Sequence, residues 1–179
     1  MHLARLPADE DSDQEGGPNA FRESFETFYR RERRSVIGLA YVLSGSRSGA
    51  EDLAQEAFLR ALKAWDRISG YDDPGAWVRR VVANQAVSGF RRRSAEARAL
   101  LRFGADTYAI PEIADDAAVI WGAVRRLPKR QAQAVALRYL EGRAIADIAR
   151  ILECSENTVN THLKRAKETL GQHLQEEDR

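Results

Sequence analysis

The segment Ala144-Ile-Ala-Asp-Ile-Ala-Arg-Ile-Leu152, followed by Glu153-Cys154-Ser155 and then Glu156-Asn-Thr-Val-Asn-Thr-His-Leu-Lys-Arg-Ala-Lys-Glu-Thr-Leu170, decides the fold. Ile145, Ile148, Ala149 and Leu152 recur at helical steps, and Val159, Leu163, Ala166 and Leu170 do the same, so each segment carries one apolar face. Three residues separate them, and Ser155 is placed to accept from the unpaired N–H groups that open the second helix. Such a short link makes the helices cross steeply, which is a helix-turn-helix. The uncovered face of the second helix holds Asn157, Asn160, Thr161, Lys164 and Arg165, whose amide, hydroxyl and cationic groups suit base edges and phosphates in a major groove. An ordinary helical hairpin with a solvated polar face is the plainer reading of the same spacing.

Working outward, the rest of the chain reads as all-α. It has 179 residues, of which 44% are hydrophobic, enough for one domain or two small ones with real cores. A net charge of +1 gives no global sign of nucleic-acid binding, but the charges are sorted. Residues 1–20 hold Asp9, Glu10, Asp11, Asp13 and Glu15 and read as a disordered acidic tail. Arg79, Arg80, Arg91, Arg92 and Arg93 cluster without an acid between them, as a phosphate-binding surface requires.

Helical periodicity starts near Phe21 and runs through Phe25, Phe28, Val36, Leu39 and Leu43 to a Ser/Gly break at residues 44–49. Ser48 with Glu51 makes a capping-box pattern for a second helix, with Leu53, Ala57, Phe58, Ala61 and Trp65 on its apolar face. After a loop at 66–73, Asp73-Pro74 opens a third helix with Trp77, Val78, Val81 and Val82 inward. Residues 94–114 read as a flexible linker. A second unit begins near Asp115, with Val119, Ile120, Val124 and Leu127 on one helix, a break at Pro128, and Ala132, Val135, Ala136, Tyr139 and Leu140 on the next. The expected organisation is therefore a tail at 1–20, a helical domain at 21–93, a linker at 94–114 and a helix-turn-helix domain at 115–179.

Chemistry of the enzymatic kind has no foothold. The single cysteine, Cys154, has no second thiol for a disulfide or a metal, and His2, His162 and His173 lie apart from any ligand pattern, so no catalytic residue, metal or cofactor is expected. No apolar run nears the roughly 20 residues of a membrane span, and no charged-then-apolar leader opens the chain, so the expectation is a cytoplasmic protein.

Four motifs in order carry a resemblance: Glu51-Asp-Leu-Ala-Gln-Glu-Ala-Phe58; Trp77 followed by Asn84 and the arginine run; Leu127-Pro128 before a helix; and Ile148-Ala149 leading to Ser155, Thr158-Val159 and Arg165-Ala166. Together they resemble the sigma-70 superfamily, in particular its compact extracytoplasmic-function (ECF) group, over roughly residues 21–171. The resemblance implies a sigma-2-like bundle and a sigma-4-like helix-turn-helix, and a function as an alternative sigma factor that binds core RNA polymerase and directs promoter-specific initiation. It places Asp52, Gln55, Glu56, Phe58 and Leu59 against the clamp helices of the polymerase largest subunit, and it implies the polymerase flap as a further contact. It assigns Ile68, Ser69, Gly70, Tyr71, Arg79, Arg80, Asn84, Ser88, Arg91 and Arg92 to minus-10 promoter DNA, where stacking and cations hold an opened strand. Asn157, Asn160, Thr161, Lys164 and Arg165 become the readers of the minus-35 element. An anti-sigma factor is a further partner that relatives of this kind often have.

Four positions depart from the pattern of the family: Ser88, where an acidic or amide residue is common; Asn160 and His162, where basic residues are common; and Glu153, which replaces a turn glycine. The competing reading is a conventional helix-turn-helix regulator that binds DNA without polymerase, and a third is a helical interaction module with no DNA dependence.

Overall fold

The computed structural model describes residues 23–96 and 115–177, with the side chains of 23–86, 117 and 119–172. The acidic tail, residues 97–114 of the expected linker and the side chains of Ser88, Arg91 and Arg92 lie outside these, while residues 94–96 continue the helix begun at Pro74.

The first half is a bundle of α1 (Phe25–Ser44), α2 (Arg47–Lys63), the single turn α3 (Trp65–Ile68) and α4 (Pro74–Glu96). Each boundary has a local cause. Ser24 caps α1 by accepting from Thr27 N–H at 3.2 Å. Gly45 ends it in the left-handed region at φ 75°, its N–H bonded to Tyr41 O. The cap of α2 is Ser46, which accepts from Gly49 N–H at 3.2 Å, so the helix starts earlier than the Ser48/Glu51 pattern predicts. Asp73 Oδ1 accepts from Ala76 N–H at 2.9 Å and opens α4 with Pro74 in its first turn, as the sequence indicates.

Aromatic rings seal the bundle. Phe28 is fully buried and lies 4.8 Å from the Trp65 ring, while Tyr29 meets Phe58 edge-on at 4.8 Å. These contacts tie α1 to α2 and explain why the chain past Ala64 coils into α3 where a plain loop was expected: Ile68 is drawn inward to 0% exposure.

The second half contains α5 (Asp115–Arg126), α6 (Lys129–Val135), a π-helical turn at Ala136–Leu140, α7 (Ile145–Leu152) and α8 (Glu156–Glu177). A small core of Val124, Leu127, Ala132, Val135 and Ala166 joins α5, α6 and α8. Val119 and Ile120, read as inward, are 60% and 53% exposed, and Tyr139 is 69% exposed. Their apolar steps continue a face that runs past the end of the core it serves.

The larger surprise is the relation of the halves. One buried cluster runs without interruption from Phe28, Leu39 and Val82 into Leu137, Ile148, Ile151 and Val159, so the π turn and α7 pack on α1 and α4. Among the described residues no helix is long and apolar enough to cross a membrane. Because Phe28 sits under three other rings, Phe28→Ala should lower the unfolding free energy by about 3–5 kcal/mol, read from urea denaturation at constant m-value.

Candidate functional site

Three surfaces gather the residues singled out in the sequence. The first is a groove of about 470 Å³ between α1 and α2, lined by Phe25, Tyr29, Ile37, Glu51, Ala54, Gln55, Phe58, Leu59 and Leu62. Phe58 forms its floor at 5% exposure, and Leu59 and Leu62 stand on its rim at 45% and 51%. Asp52, Gln55 and Glu56 are exposed along the same helix, Glu56 paired with Arg60 at 2.7 Å. An apolar slot edged by acids and an amide matches the polar and apolar needs of a docking helix.

The second surface lies where the α3–α4 loop meets α4. A concavity of about 510 Å³ is lined by Arg67, Gly70, Tyr71, Asp72, Asp73, Ala76, Trp77, Arg80 and, from α7, Arg150. Gly70, Tyr71 and Asn84 are exposed, and Ser69 is half-buried. Ile68 and Arg79, expected to meet DNA, are buried instead: Ile68 by the packing that forms α3, and Arg79 by an ion cluster that the sequence did not reveal.

Arg79 is 2% exposed. Its Nε donates to Glu141 Oε2 at 2.6 Å, Nη1 to Glu32 Oε2 at 2.7 Å and to Gly75 O at 3.1 Å, and Nη2 to Ser35 Oγ at 2.9 Å. Ser35 Oγ in turn donates to Glu141 Oε1 at 2.6 Å. Arg143 extends the network, lying 3.5 Å from Glu141 Oε2 and donating to Asp73 Oδ2 at 3.2 Å. Burial opposes the charge on Arg79, but Glu141 and Glu32 outweigh it and hold the guanidinium above its ordinary value. Burial likewise raises the Glu32 carboxyl, and bonds from Arg79 and Arg31 reverse that and leave it below the ordinary range.

Further along α4, Arg80 Nη1 donates to Glu153 Oε1 at 2.6 Å and Nη2 to Arg150 O at 2.8 Å. Lys129 Nζ donates to Asn84 O at 3.1 Å, and the fully buried Gln133 amide donates to Ala83 O. Glu32, Ser35, Gln133 and Glu141 were thus missed by sequence reasoning. The one available signal was Gln133, a polar residue among Ala132, Ala134 and Val135.

The third surface is α8. Ser155 Oγ accepts from Thr158 N–H at 3.1 Å and caps the helix, as its position in the sequence indicates. Asn157, Asn160, Thr161, Lys164 and Arg165 are all exposed on it. Thr161 Oγ1 donates back to Asn157 O at 2.9 Å, which leaves its oxygen as an acceptor toward solvent. Burial, together with Arg130 and Arg165, pushes His162 below its ordinary value, which favours its uncharged form. The turn before α8 holds Glu153 at φ 53°, ψ 51°, the left-handed region that the sequence departure put in question. Among the described residues no group of His, Cys, Asp and Glu could hold a metal ion.

A family model of sigma-70 region 2 matches residues 28–96, and one of sigma-70 region 4 matches residues 118–170. The ECF RNA polymerase sigma factor SigM of Mycobacterium tuberculosis is 30% identical over 156 residues, covering 86% of this chain and 78% of SigM. The ECF sigma factor BldN of Streptomyces coelicolor is 29% identical over 168 residues, covering 88% of this chain and 62% of BldN. In fold, the chain is similar to the sigma factor RpoE in its complex with the anti-sigma factor NepR from Bartonella quintana. That likeness has a TM-score of 0.66 at 22% identity and covers 84% of this chain and 96% of the other. It is also similar to CnrH in complex with the cytosolic domain of CnrY, with a TM-score of 0.61 at 19% identity over 84% and 87% of the two chains.

Two outcomes follow from this geometry. Relief of the left-handed strain, about 1–2 kcal/mol, exceeds what an exposed pair such as Arg80–Glu153 returns, so Glu153→Gly should raise the thermal midpoint by a few degrees and Glu153→Val should lower it. Glu32 has a depressed folded-state value, so its contribution is present above the unfolded value and is lost as pH falls through the folded one. Denaturation titrations should show stability falling on acidification below the ordinary glutamate range, with Glu32→Gln flattening that slope.

Proposed function

The chain belongs to the ECF sigma factors, an alternative sigma factor that binds core RNA polymerase and directs transcription from promoters, and from that premise we propose how its surfaces divide the work. The groove between α1 and α2, with Asp52, Gln55, Glu56, Phe58 and Leu59, receives the clamp helices of the largest subunit, and the second half sits beside the flap. The observation that carries this assignment is the pairing of an open apolar slot with exposed acids and an amide on the same helix. A helix docking there would bury Leu59 and Leu62 and leave its polar flank to Gln55 and Glu56.

Residues 21–93 form the unit that handles the minus-10 element. Tyr71 supplies a ring on which an extruded base stacks, Asn84 an amide for its edge, and Arg80, Arg91 and Arg92 cations for the strand. Residues 115–179 form the minus-35 reader. On α8, Asn157, Asn160 and Thr161 read base edges while Lys164 and Arg165 hold phosphate, so recognition leans on base contacts more than on charge. No catalytic role falls to the chain itself, since bond formation belongs to the polymerase, and its place of work is the cytoplasm, where polymerase and promoters are. An anti-sigma protein is its regulator, on the analogy of the RpoE complex, whose partner NepR is of that kind.

The test is run-off transcription with purified core polymerase on a library of upstream genomic fragments, comparing the natural chain with an Asp52→Ala, Gln55→Ala, Glu56→Ala triple variant. Specific transcripts are expected from the former, and a drop of about tenfold or more from the latter, as the loss of roughly 1.4 kcal/mol of contact implies. Defined duplex binding by the protein alone, with no transcript in any mixture, would overturn the proposal and favour a conventional regulator.

A further inference from the structure

We propose that the first two turns of α8 select adenine and exclude guanine at two neighbouring base pairs of the minus-35 element, Asn157 and Asn160 each bonding one adenine edge. This deepens the assignment of α8 as the minus-35 reader and rests on it.

Packing decides which side of the helix can read. Val159 and Ala166 are fully buried and hold α8 against the rest of the chain. With about 100° between successive residues, Asn157, Thr161, Lys164 and Glu168 fall in one stripe on the opposite side, with Asn160 on its flank, and all five are exposed. The stripe is graded along the helix. Its far end is the carboxylate of Glu168, which phosphates repel, so α8 enters a groove by its N-terminal turns. Those turns, Glu156 to Leu163, contain no lysine or arginine. The side chains that bond guanine O6 and N7 together are therefore missing where the bases lie closest.

The groups that remain discriminate by donor and acceptor. In the major groove guanine shows two acceptors, whereas adenine shows the N7 acceptor beside the N6 amino donor. An asparagine amide, one donor group beside one acceptor, satisfies both positions on adenine, but against guanine its carbonyl oxygen meets O6. Phosphate is no better a partner, since it too offers acceptors alone and leaves the carbonyl unused. Thr161 sharpens the choice. Its one hydroxyl hydrogen is committed to Asn157 O at 2.9 Å, so toward DNA the oxygen can only accept, and a guanine edge gives it nothing. Glu156, in the first turn, brings an acceptor-only carboxylate to the same end of the helix. Spacing sets the register: three residues advance about 4.5 Å along a helix against about 3.4 Å per base pair, so Asn157 and Asn160 face consecutive pairs.

The test uses the full chain reconstituted with core polymerase. A promoter recovered by run-off transcription has its upstream element randomised as duplex DNA, and the sequences retained are counted for the natural chain, Asn157→Ala, Asn160→Ala and Asn160→Arg. All three substitutions fall on exposed positions, and thermal melting checks that each variant is folded. The natural chain should enrich A·T at two adjacent pairs, with G·C at either lowering retention about tenfold. Each alanine variant should flatten the preference at one pair and leave the other, and Asn160→Arg should turn one A·T preference into G·C. Enrichment of G·C at those pairs by the natural chain, with the variants still altering it, would overturn the adenine code alone and leave α8 as the minus-35 reader. An upstream preference that no variant moves, or no upstream preference in any transcribing mixture, would show that α8 is not that reader, and the adenine code is overturned with the assignment.

Discussion

A guanidinium with 3% of its side chain exposed must find its acceptors inside the protein, and Arg79 finds them on α1, on its own helix and on the segment before α7. Removing any one acceptor strands a buried charge, which costs far more than the bond itself contributes. The rest of the architecture is arranged around that demand. The apolar cluster shared by α1, α4 and α7 supplies the bulk of the burial energy, but it is tolerant of sliding, because apolar contacts have little directionality. The hydrogen-bond directions at Arg79 are not tolerant. They fix where Glu141 lies and, since Gly142 at φ 65° and Arg143 follow at once, they fix how the chain turns into the helix-turn-helix.

The π-helical turn at Ala136–Leu140 belongs to the same constraint. One residue more than an α-turn lets Leu137 stay fully buried toward α1 while its carbonyl accepts from Arg143 N–H at 3.0 Å. The cost is paid on the outer side, where Tyr139 projects into solvent although its sequence spacing places it inward. Local irregularity here accompanies the packing of the two helical units on one shared core.

That distinction separates what was legible in the sequence from what was not. Helix existence, the Asp73 and Ser155 caps, the break at Pro128 and the turn at 153–155 depend on residues within one helical turn of one another, and all could be read. The exposed polar face of α8 could be read as well, because a capped helix with one apolar stripe leaves its other positions outside by geometry alone. The ion cluster joins residues 44 to 106 positions apart, and no local pattern distinguishes Glu32 from its basic neighbours or Glu141 from a solvated turn residue. Arg79 shows the limit most clearly. Beside Arg80 it reads as half of a basic pair, yet the two point to different fates, one into the cluster and the other to the rim, because successive residues on a helix are about 100° apart.

The exposed face of α8 carries little charge. His162 is shifted toward its uncharged form, Asn157 and Asn160 are uncharged, and Lys164 with Arg165 are the cations of the assigned face. Each phosphate that a protein neutralises steepens the salt dependence of its binding, so a face with few cations binds non-specifically only weakly. Such a reader gains little from DNA of arbitrary sequence and depends on base contacts and on being tethered to another bound module. Polymerase supplies that tether in a sigma factor, so a modest charge on α8 is compatible with the minus-35 role proposed for it.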